Sequence, residues 1–329
     1  CNELTLLTTR KASVTVTESD AGWRLDHWLA NRFTYQSRSR WQVLVKDGYL
    51  RVNSQDAKPS YLLQEGDEVE YLLPKVDEPA VNPDYQIVWQ DKFLAFVNKP
   101  GNLPCHPGGC YFNHTLWALL KKRYEEFWLI NRLDRETSGL VVIAFDAETA
   151  AALHRQFASH SIRKEYWMLV EGSFPDTLHA IGKLGQDTTS DVRKKRHFVS
   201  DTEADGKERV ETHFAKLAER HLLSLVQCLP ATGRLHQLRA TAHSLGYQVV
   251  GDKLYGIDDH IFIRFTEDTT TAEDWRRLRM TRQALHARSL EISHPVTGEN
   301  LRVDAPLPED FRGLLLTHGF PAQYSDTSR

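Results

Sequence analysis

The spacing of apolar residues changes period several times along the chain. Leu25, Trp28, Leu29 and Phe33 recur at helical spacing. Trp41, Leu44 and Val45 repeat that spacing after Ser37, a good N-cap, and Gly48 supplies the stop. Tyr49–Asn53 and Val69–Tyr71 read as strands, with Gly66-Asp67 as the turn before the second. Ahead of them, the alternation Val14-Thr15-Val16-Thr17 predicts a short strand or an ordered tail. Further on, Tyr85–Trp89 and Phe93–Asn98 predict a hairpin around Asp91-Lys92. A helix follows over Thr115–Tyr124, then an apolar strand over Leu140–Ala144. Asp146 can cap a helix carrying Ala150, Leu153 and Phe157 inward. Lys164–Gly172 alternates as a strand and places Tyr166, Met168 and Val170 on one face. The most helical segment runs up to Gly246, with Leu235, Leu238, Ala242 and Leu245 as its stripe and His236, Arg239 and His243 beside it.

Pro74 to Pro83 holds three prolines and mixed charge, which favours an extended spacer. It divides the chain into a tail over 1–18, a small module over 19–73, a linker over 74–84, a large domain over 85–312 and a tail over 313–329. With 41% hydrophobic and 26% charged residues, a core of ordinary size can be built. No run of about 18 apolar residues is present, so no membrane span is expected. Cys1-Asn2-Glu3-Leu4 lacks a signal-peptide pattern, and an initial Cys suggests a trimmed start. Four cysteines are too few for a disulfide scaffold and fit a reducing cytoplasm. Net charge is −3, so positive charge is local: Arg24, Arg32, Arg38, Arg40 and Lys46 in one segment, then Arg193–His197 and Arg276–Arg279. Residues 187–206 read as a mobile or RNA-facing insertion. His154 and His160 read as surface or core histidines. Cys105, His106, Cys110 and His114 crowd one Pro/Gly loop, unlike the separated pairs of a zinc site, so no metal is expected. No Walker loop, Gly-x-Gly-x-x-Gly or His-Glu-x-x-His occurs.

The stretch Ile130-Asn131-Arg132-Leu133-Asp134-Arg135-Glu136-Thr137-Ser138-Gly139-Leu140 places one carboxylate between two arginines and turns through small residues into a strand. Neighbouring cations favour an ionised Asp134. On charge alone, a surface ion-pair cluster is the better explanation. The whole stretch resembles the Arg-Leu-Asp-x-x-Thr-Ser-Gly signature of the RluA-type pseudouridine synthases, although Asn131 stands where that family usually has His. Lys99–Gly109 resembles the family's Lys-Pro loop, Lys164-Glu165-Tyr166 its Lys-x-Tyr, and Thr232–Arg239 its Thr-Gly-Arg-x-His-Gln-x-Arg motif. Thr241 replaces a usual His. Gly206–Phe214, Gly251-Asp252, Leu254-Tyr255-Gly256, Leu285-His286-Ala287 and His294-Pro295 follow in order. Separately, Arg24-Leu25-Asp26, Ser37-Arg38-Ser39, Lys46-Asp47-Gly48, Val52-Asn53, Lys58-Pro59-Ser60 and Gly66-Asp67 resemble the S-four-like RNA-binding domain.

These resemblances imply an α+β chain: a small α/β RNA-binding module, then a catalytic domain on a mixed, mainly antiparallel sheet flanked by helices and loops. They imply isomerisation of uridine in RNA without a cofactor, by cutting the base from ribose, rotating it and rejoining it through carbon 5. Asp134 would be catalytic, Arg239 would keep it ionised, and Tyr166 would stack on the base. Arg132 would fill the gap left by an everted base, since guanidinium planes stack on bases. The alternative for Arg132 is an ion pair with Glu136 or Asp134. Arg24, Arg38, Arg40, Lys46, Lys99 and His236 are the expected RNA contacts. Large-subunit ribosomal RNA is the first expected substrate and transfer RNA the second, for a monomer. Two other readings are a catalytically inactive RNA-binding or ribosome-assembly protein, which Asn131 and Thr241 keep open, and a hydrolase using Ser138 with a histidine.

Overall fold

Leu25–Arg32 (α1) and Arg38–Lys46 (α2) lay Leu25, Trp28, Leu29, Trp41, Leu44 and Val45 against a small sheet. The computed structural model describes residues 10–32, 38–73, 78–108, 110–190, 192, 194–200 and 208–324. Ser37, the expected cap, and Phe33 lie outside them. Gly48, with φ +76°, ends α2 in the left-handed conformation that glycine adopts without strain. The sheet has the order β1-β4-β2-β3, from Arg10–Thr15 (β1), Leu50–Val52 (β2), Gln55–Asp56 (β3) and Glu68–Leu73 (β4). The early alternation is therefore a paired strand: Val14 lies opposite Val69. The chain divides into two compact units, residues 1–80 with 107–113, and residues 81–106 with 114–329.

The second unit is built on one large sheet. Its strands are Gln86–Gln90 (β5), Leu94–Lys99 (β6), Trp128–Leu129 (β7), Ser138–Ala144 (β8), Arg163–Glu171 (β9), Thr177–Gln186 (β10), Arg196–Val199 (β11), Glu208–Arg220 (β12), Leu223–Pro230 (β13), Leu285–Ser293 (β14) and Asn300–Asp304 (β15). The order is β11-β10-β12-β13-β9-β14-β8-β6-β5, with β15 on β14 and β7 on β8. Pairing is antiparallel except where His286 and Ala287 of β14 run parallel to Ser138 and Gly139 of β8. Every residue of β8 is buried. Its odd and even residues enter different clusters: Leu140, Val142 and Ala144 pack with Phe96 and Leu153, while Val141 and Ile143 pack with Leu116 and Leu120. A strand covered on both faces reads as a continuous apolar run.

The helices are Leu116–Lys121 (α3), Ala147–Ala158 (α4), Gln237–Ser244 (α5), His260–Thr266 (α6), Ala272–Leu278 (α7) and Glu309–Thr317 (α8). Asp146 caps α4 as expected, accepting from the N–H of Thr149 at 2.7 Å. The stripe expected around α5 is partly corrected. The helix starts only at Gln237, because His236 takes a left-handed conformation with φ 58°, and Leu235 is 40% exposed. The insertion expected over 187–206 is corrected for its described part; residues 191, 193 and 201–206 lie outside the described residues. Lys195 is buried against Asp187 and Asp259, and Arg196–Val199 adds an edge strand that buries Phe198. The C-terminal tail expected over 313–329 is corrected over 313–324, which stay packed: Leu315 and Phe320 are buried, and the Tyr324 hydroxyl donates to the Leu217 carbonyl at 2.8 Å; 325–329 lie outside the described residues. No helix among the described residues is long and apolar enough to cross a membrane.

Candidate active site

The loop ahead of β8 is fixed by its surroundings nearly residue by residue. Asn131 begins this. Its Oδ1 accepts from the N–H of Val142 at 2.8 Å and its Nδ2 donates to the carbonyl of Leu140 at 3.3 Å. The side-chain amide thus continues the β7–β8 ladder while the main chain turns away. The N–H of Leu133 donates to Cys105 Sγ at 3.3 Å, and that thiol lies 3.4 Å from the Leu133 carbonyl. The Arg135 carbonyl accepts from the N–H of Leu103 at 3.0 Å and from Lys99 Nζ at 3.2 Å. Arg282 Nη1 donates to the Glu136 carbonyl at 3.0 Å, and Lys253 Nζ binds the Glu136 carboxylate at 2.9 and 3.0 Å. Thr137 Oγ1 accepts from Gln283 Nε2 at 2.6 Å, and Ser138 Oγ bonds His286 Nδ1 at 2.9 Å. Gly139 has φ +110°, and a Cβ there would lie 2.2 Å from the Ala287 carbonyl oxygen. Thr-Ser-Gly is thus the seam joining the loop to β14.

That scaffold presents Asp134 to Arg239. Arg239 Nη1 donates to Asp134 Oδ2 at 2.9 Å, across 105 positions of sequence. Arg239 is itself gripped in a bidentate pair, Nε to Asp252 Oδ2 at 2.6 Å and Nη2 to Asp252 Oδ1 at 2.8 Å. Asp252 Oδ1 also accepts from the N–H groups of Leu254 and Tyr255, each at 2.9 Å. Burial pushes the Asp134 carboxyl up, but the Arg239 guanidinium and the nearby His236 outweigh it and hold it below the usual carboxylate range. Burial opposes the charge on Arg239 as well, and its two carboxylates more than restore it. The cation expected from the sequence neighbours of Asp134 therefore comes from elsewhere. Arg135 turns to Glu136 at 2.9 Å and stacks over Phe265. Arg132 is exposed and pairs with no carboxylate among the described residues.

Asp134, Tyr166, Arg239, Arg132, His236 and Lys164 line one cavity of about 270 Å³. Burial, then the Asp134 charge, pushes the Tyr166 phenol well above its ordinary value, so it stays protonated. His236 bonds Tyr255 through Nδ1 at 2.9 Å, and its Nε2 lies 4.0 Å from Asp134 Oδ1. Burial and Arg239 pull this imidazole down to about 4, so it is neutral at pH 7. Lys164 was missed as a site residue. Its Nζ donates to the Thr232 carbonyl at 2.9 Å and burial lowers it to about 8. Its Lys-x-Tyr spacing in a strand places it on the same face as Tyr166, and that alternation is the signal that could have found it. Gln237 shapes the facing wall: its Oε1 accepts from Thr232 Oγ1 at 2.8 Å and the N–H of Arg234 at 3.0 Å.

Lys99 requires correction. It is fully buried, donating to the carbonyls of Pro100 at 2.8 Å and Arg135 at 3.2 Å, and burial pulls it down to about 8. It holds the loop and does not reach a phosphate. Arg24 and Arg38 are about half-exposed but both bind buried Asp26, at 3.1 Å each; Lys46 is exposed. Arg40 is on α2, and its side chain lies outside the described residues. Ser138 does meet a histidine, but both are sealed in the sheet at 1% and 0% exposure, which removes the hydrolase reading. Thr241 is buried and its hydroxyl finds no hydrogen-bond partner among the described residues. Cys105 spends its sulfur on the Leu133 backbone.

Residues 94–244 match the family model for RNA pseudouridylate synthase, and residues 23–69 match the S4 domain. The chain is 34% identical to the ribosomal large subunit pseudouridine synthase D of Zymomonas mobilis, over 91% of this chain and 95% of that protein. It is 30% identical to the ribosomal large subunit pseudouridine synthase C of Escherichia coli, over 92% of this chain and 95% of that protein. Among solved structures it is similar to human RNA pseudouridylate synthase domain containing 1, with TM-score 0.55 and 25% identity over 70% of this chain and 86% of that one.

Proposed function

The chain belongs to the RNA pseudouridylate synthase family, with an S4 domain at its N-terminal end, and on that premise we propose that it isomerises specific uridines of large-subunit ribosomal RNA through Asp134. The observation that carries this reading is the 2.9 Å pair between Asp134 Oδ2 and a guanidinium already gripped by Asp252. Two oppositely directed carboxylates clamp Arg239, so its position is set before substrate arrives. Oδ1 of Asp134 is left without a hydrogen bond among the described residues, at the wall of a cavity suited to one base ring. A charged, oriented oxygen with no partner is the group an anion-dependent cleavage and rejoining of a glycosidic bond requires.

A stacked uridine must be everted to enter, at a cost of a few kcal/mol. Exposed Arg132 at the cavity lip is suited to occupy the vacated space. The Tyr166 ring forms a wall for the base. Its protonated hydroxyl can donate a hydrogen bond but is a poor free base. Arg24, Arg38, Arg40 and Lys46 of the first unit supply phosphate attraction that does not read sequence. The relatives' names favour ribosomal over transfer RNA as the target of this chain.

The test is to incubate the purified chain with unmodified large-subunit ribosomal RNA, and separately with transfer RNA, and map pseudouridine chemically. Pseudouridine at a small number of fixed positions in the large-subunit RNA alone is expected. Modification of transfer RNA only would overturn the substrate assignment.

A further inference from the structure

On the solvent face of the large sheet, β10 and β12 bring His179, Glu211 and His213 together. The register makes His179 and His213 direct cross-strand partners, and Glu211 shares the face of His213 two residues away. The two imidazoles stack with centroids 3.6 Å apart and planes 17° from parallel. His179 Nε2 lies 3.0 Å from Glu211 Oε1, and one ligand atom from each of the three lies within 4.8 Å of the others. A shallow cavity of about 280 Å³ opens beside both histidines and shares no lining residue with the Asp134 cavity.

We propose that His179, Glu211 and His213 form a binding site for a zinc-like divalent transition metal. Zinc bonds of roughly 2.0–2.2 Å to nitrogen and oxygen put the donors of a tetrahedral site about 3.3 Å apart; His179 Nε2 and Glu211 Oε1 are 3.0 Å apart and all three donors lie within 4.8 Å, so the imidazoles need only turn out of their stack to converge on one ion. Two imidazoles with one carboxylate suit zinc, cobalt and nickel rather than calcium or magnesium. Three protein ligands leave one position for water, and the cavity provides the room. The charge balance also asks for a cation. Among the described residues Glu211 pairs with no lysine or arginine, only with His179. The other cluster of this kind, Asp258, Asp259 and His260, is already neutralised by Arg264, Arg277 and Lys195, and carries no such vacancy of charge. Spacing along the sequence could not reveal the site, because its histidines come from different strands, brought together only by the β10–β12 pairing.

The experiment uses the full chain, stripped with a chelator and dialysed against Zn²⁺, with bound metal quantified and the thermal midpoint recorded. One Zn²⁺ per chain is expected, with a rise in midpoint as the metal clamps two strands. His213→Ala and, separately, the milder His179→Gln should each weaken binding by at least about tenfold and abolish the midpoint rise. Both should leave pseudouridine formation unchanged. Co²⁺ in place of Zn²⁺ should give visible absorption that both variants lose. Absence of saturable binding, or one Zn²⁺ retained in both variants, overturns the assignment and leaves an imidazole stack held by Glu211 alone.

Discussion

Burial raises the Asp134 carboxyl, but the Arg239 guanidinium, with His236 beside it, outweighs this and keeps it charged, and this makes a sharp prediction about pH. In the native chain the carboxyl titrates below the ordinary range, so kcat/KM should show no acid limb from Asp134 between about pH 5 and 7. Arg239→Gln removes the main group that opposes burial, which raises the carboxyl. An acid limb should then move up toward neutrality, and a pH–rate profile reads it directly. An unshifted profile at uniformly lower rate would mean that Arg239 is only structural. Lys99 separates two roles in the same way. Lys99→Met leaves the carbonyls of Pro100 and Arg135 short of a donor, and should cost roughly 1–3 kcal/mol in denaturant unfolding. The salt dependence of RNA affinity should not change, because a buried ammonium contacts no phosphate. The Lys-Pro loop was legible in the sequence, but the direction of the lysine was not. A charged residue entering a Pro/Gly loop reads as exposed until its backbone acceptors are seen.

At the scale of elements, the seam between β8 and β14 decides where the loop of Asp134 lies. Gly139→Ala would drive a Cβ to 2.2 Å from the Ala287 carbonyl oxygen, at a φ of +110°. A loss of more than about 4 kcal/mol, or no folded protein, is expected in thermal unfolding. Asn131→Ala is milder. It frees the N–H of Val142 and the carbonyl of Leu140, and loosens the loop just before Arg132. A fall in kcat larger than any change in KM is expected from steady-state kinetics, since the wall proposed for the base at Tyr166 is untouched. The strand over Leu140–Ala144 was legible as a continuous apolar run and the one over Lys164–Gly172 by its alternation. Strands β10 and β13 were not read at all. Their mixed polar and apolar residues acquire meaning only once each has a partner. The helix α5 was read one turn too long, because nothing local announces the left-handed His236 that starts it.

At the scale of the whole molecule, two deeply buried histidines contribute a defined share of the acid sensitivity. Burial pulls His236 down to about 4 and His286 down to about 3. Both are neutral when folded and free to protonate when unfolded, where a histidine titrates near 6.5. Between about pH 6.5 and 4 the unfolded chain binds more protons, so stability rises with pH across that window and falls on acidification. His286→Asn should flatten the slope of thermal midpoint against pH there, whatever its effect on the midpoint at pH 7. The cluster that matters most was legible in both its members and its pairing: the resemblance implies that Arg239 holds Asp134, and the two lie 2.9 Å apart. Asp134, Tyr166 and Arg239 were legible as motifs. The second carboxylate on Arg239, Asp252, was visible only as a family match, because nothing in its own segment points to a guanidinium 13 residues before it. We propose Asp134 as the anion on which the isomerisation depends. The most direct test is tritium release from large-subunit ribosomal RNA labelled at carbon 5 of uridine, comparing the native chain with Asp134→Asn. The native chain should release tritium, and the variant should be slower by roughly 10³-fold or more while still binding the RNA. Release by Asp134→Asn at the native rate would contradict the account.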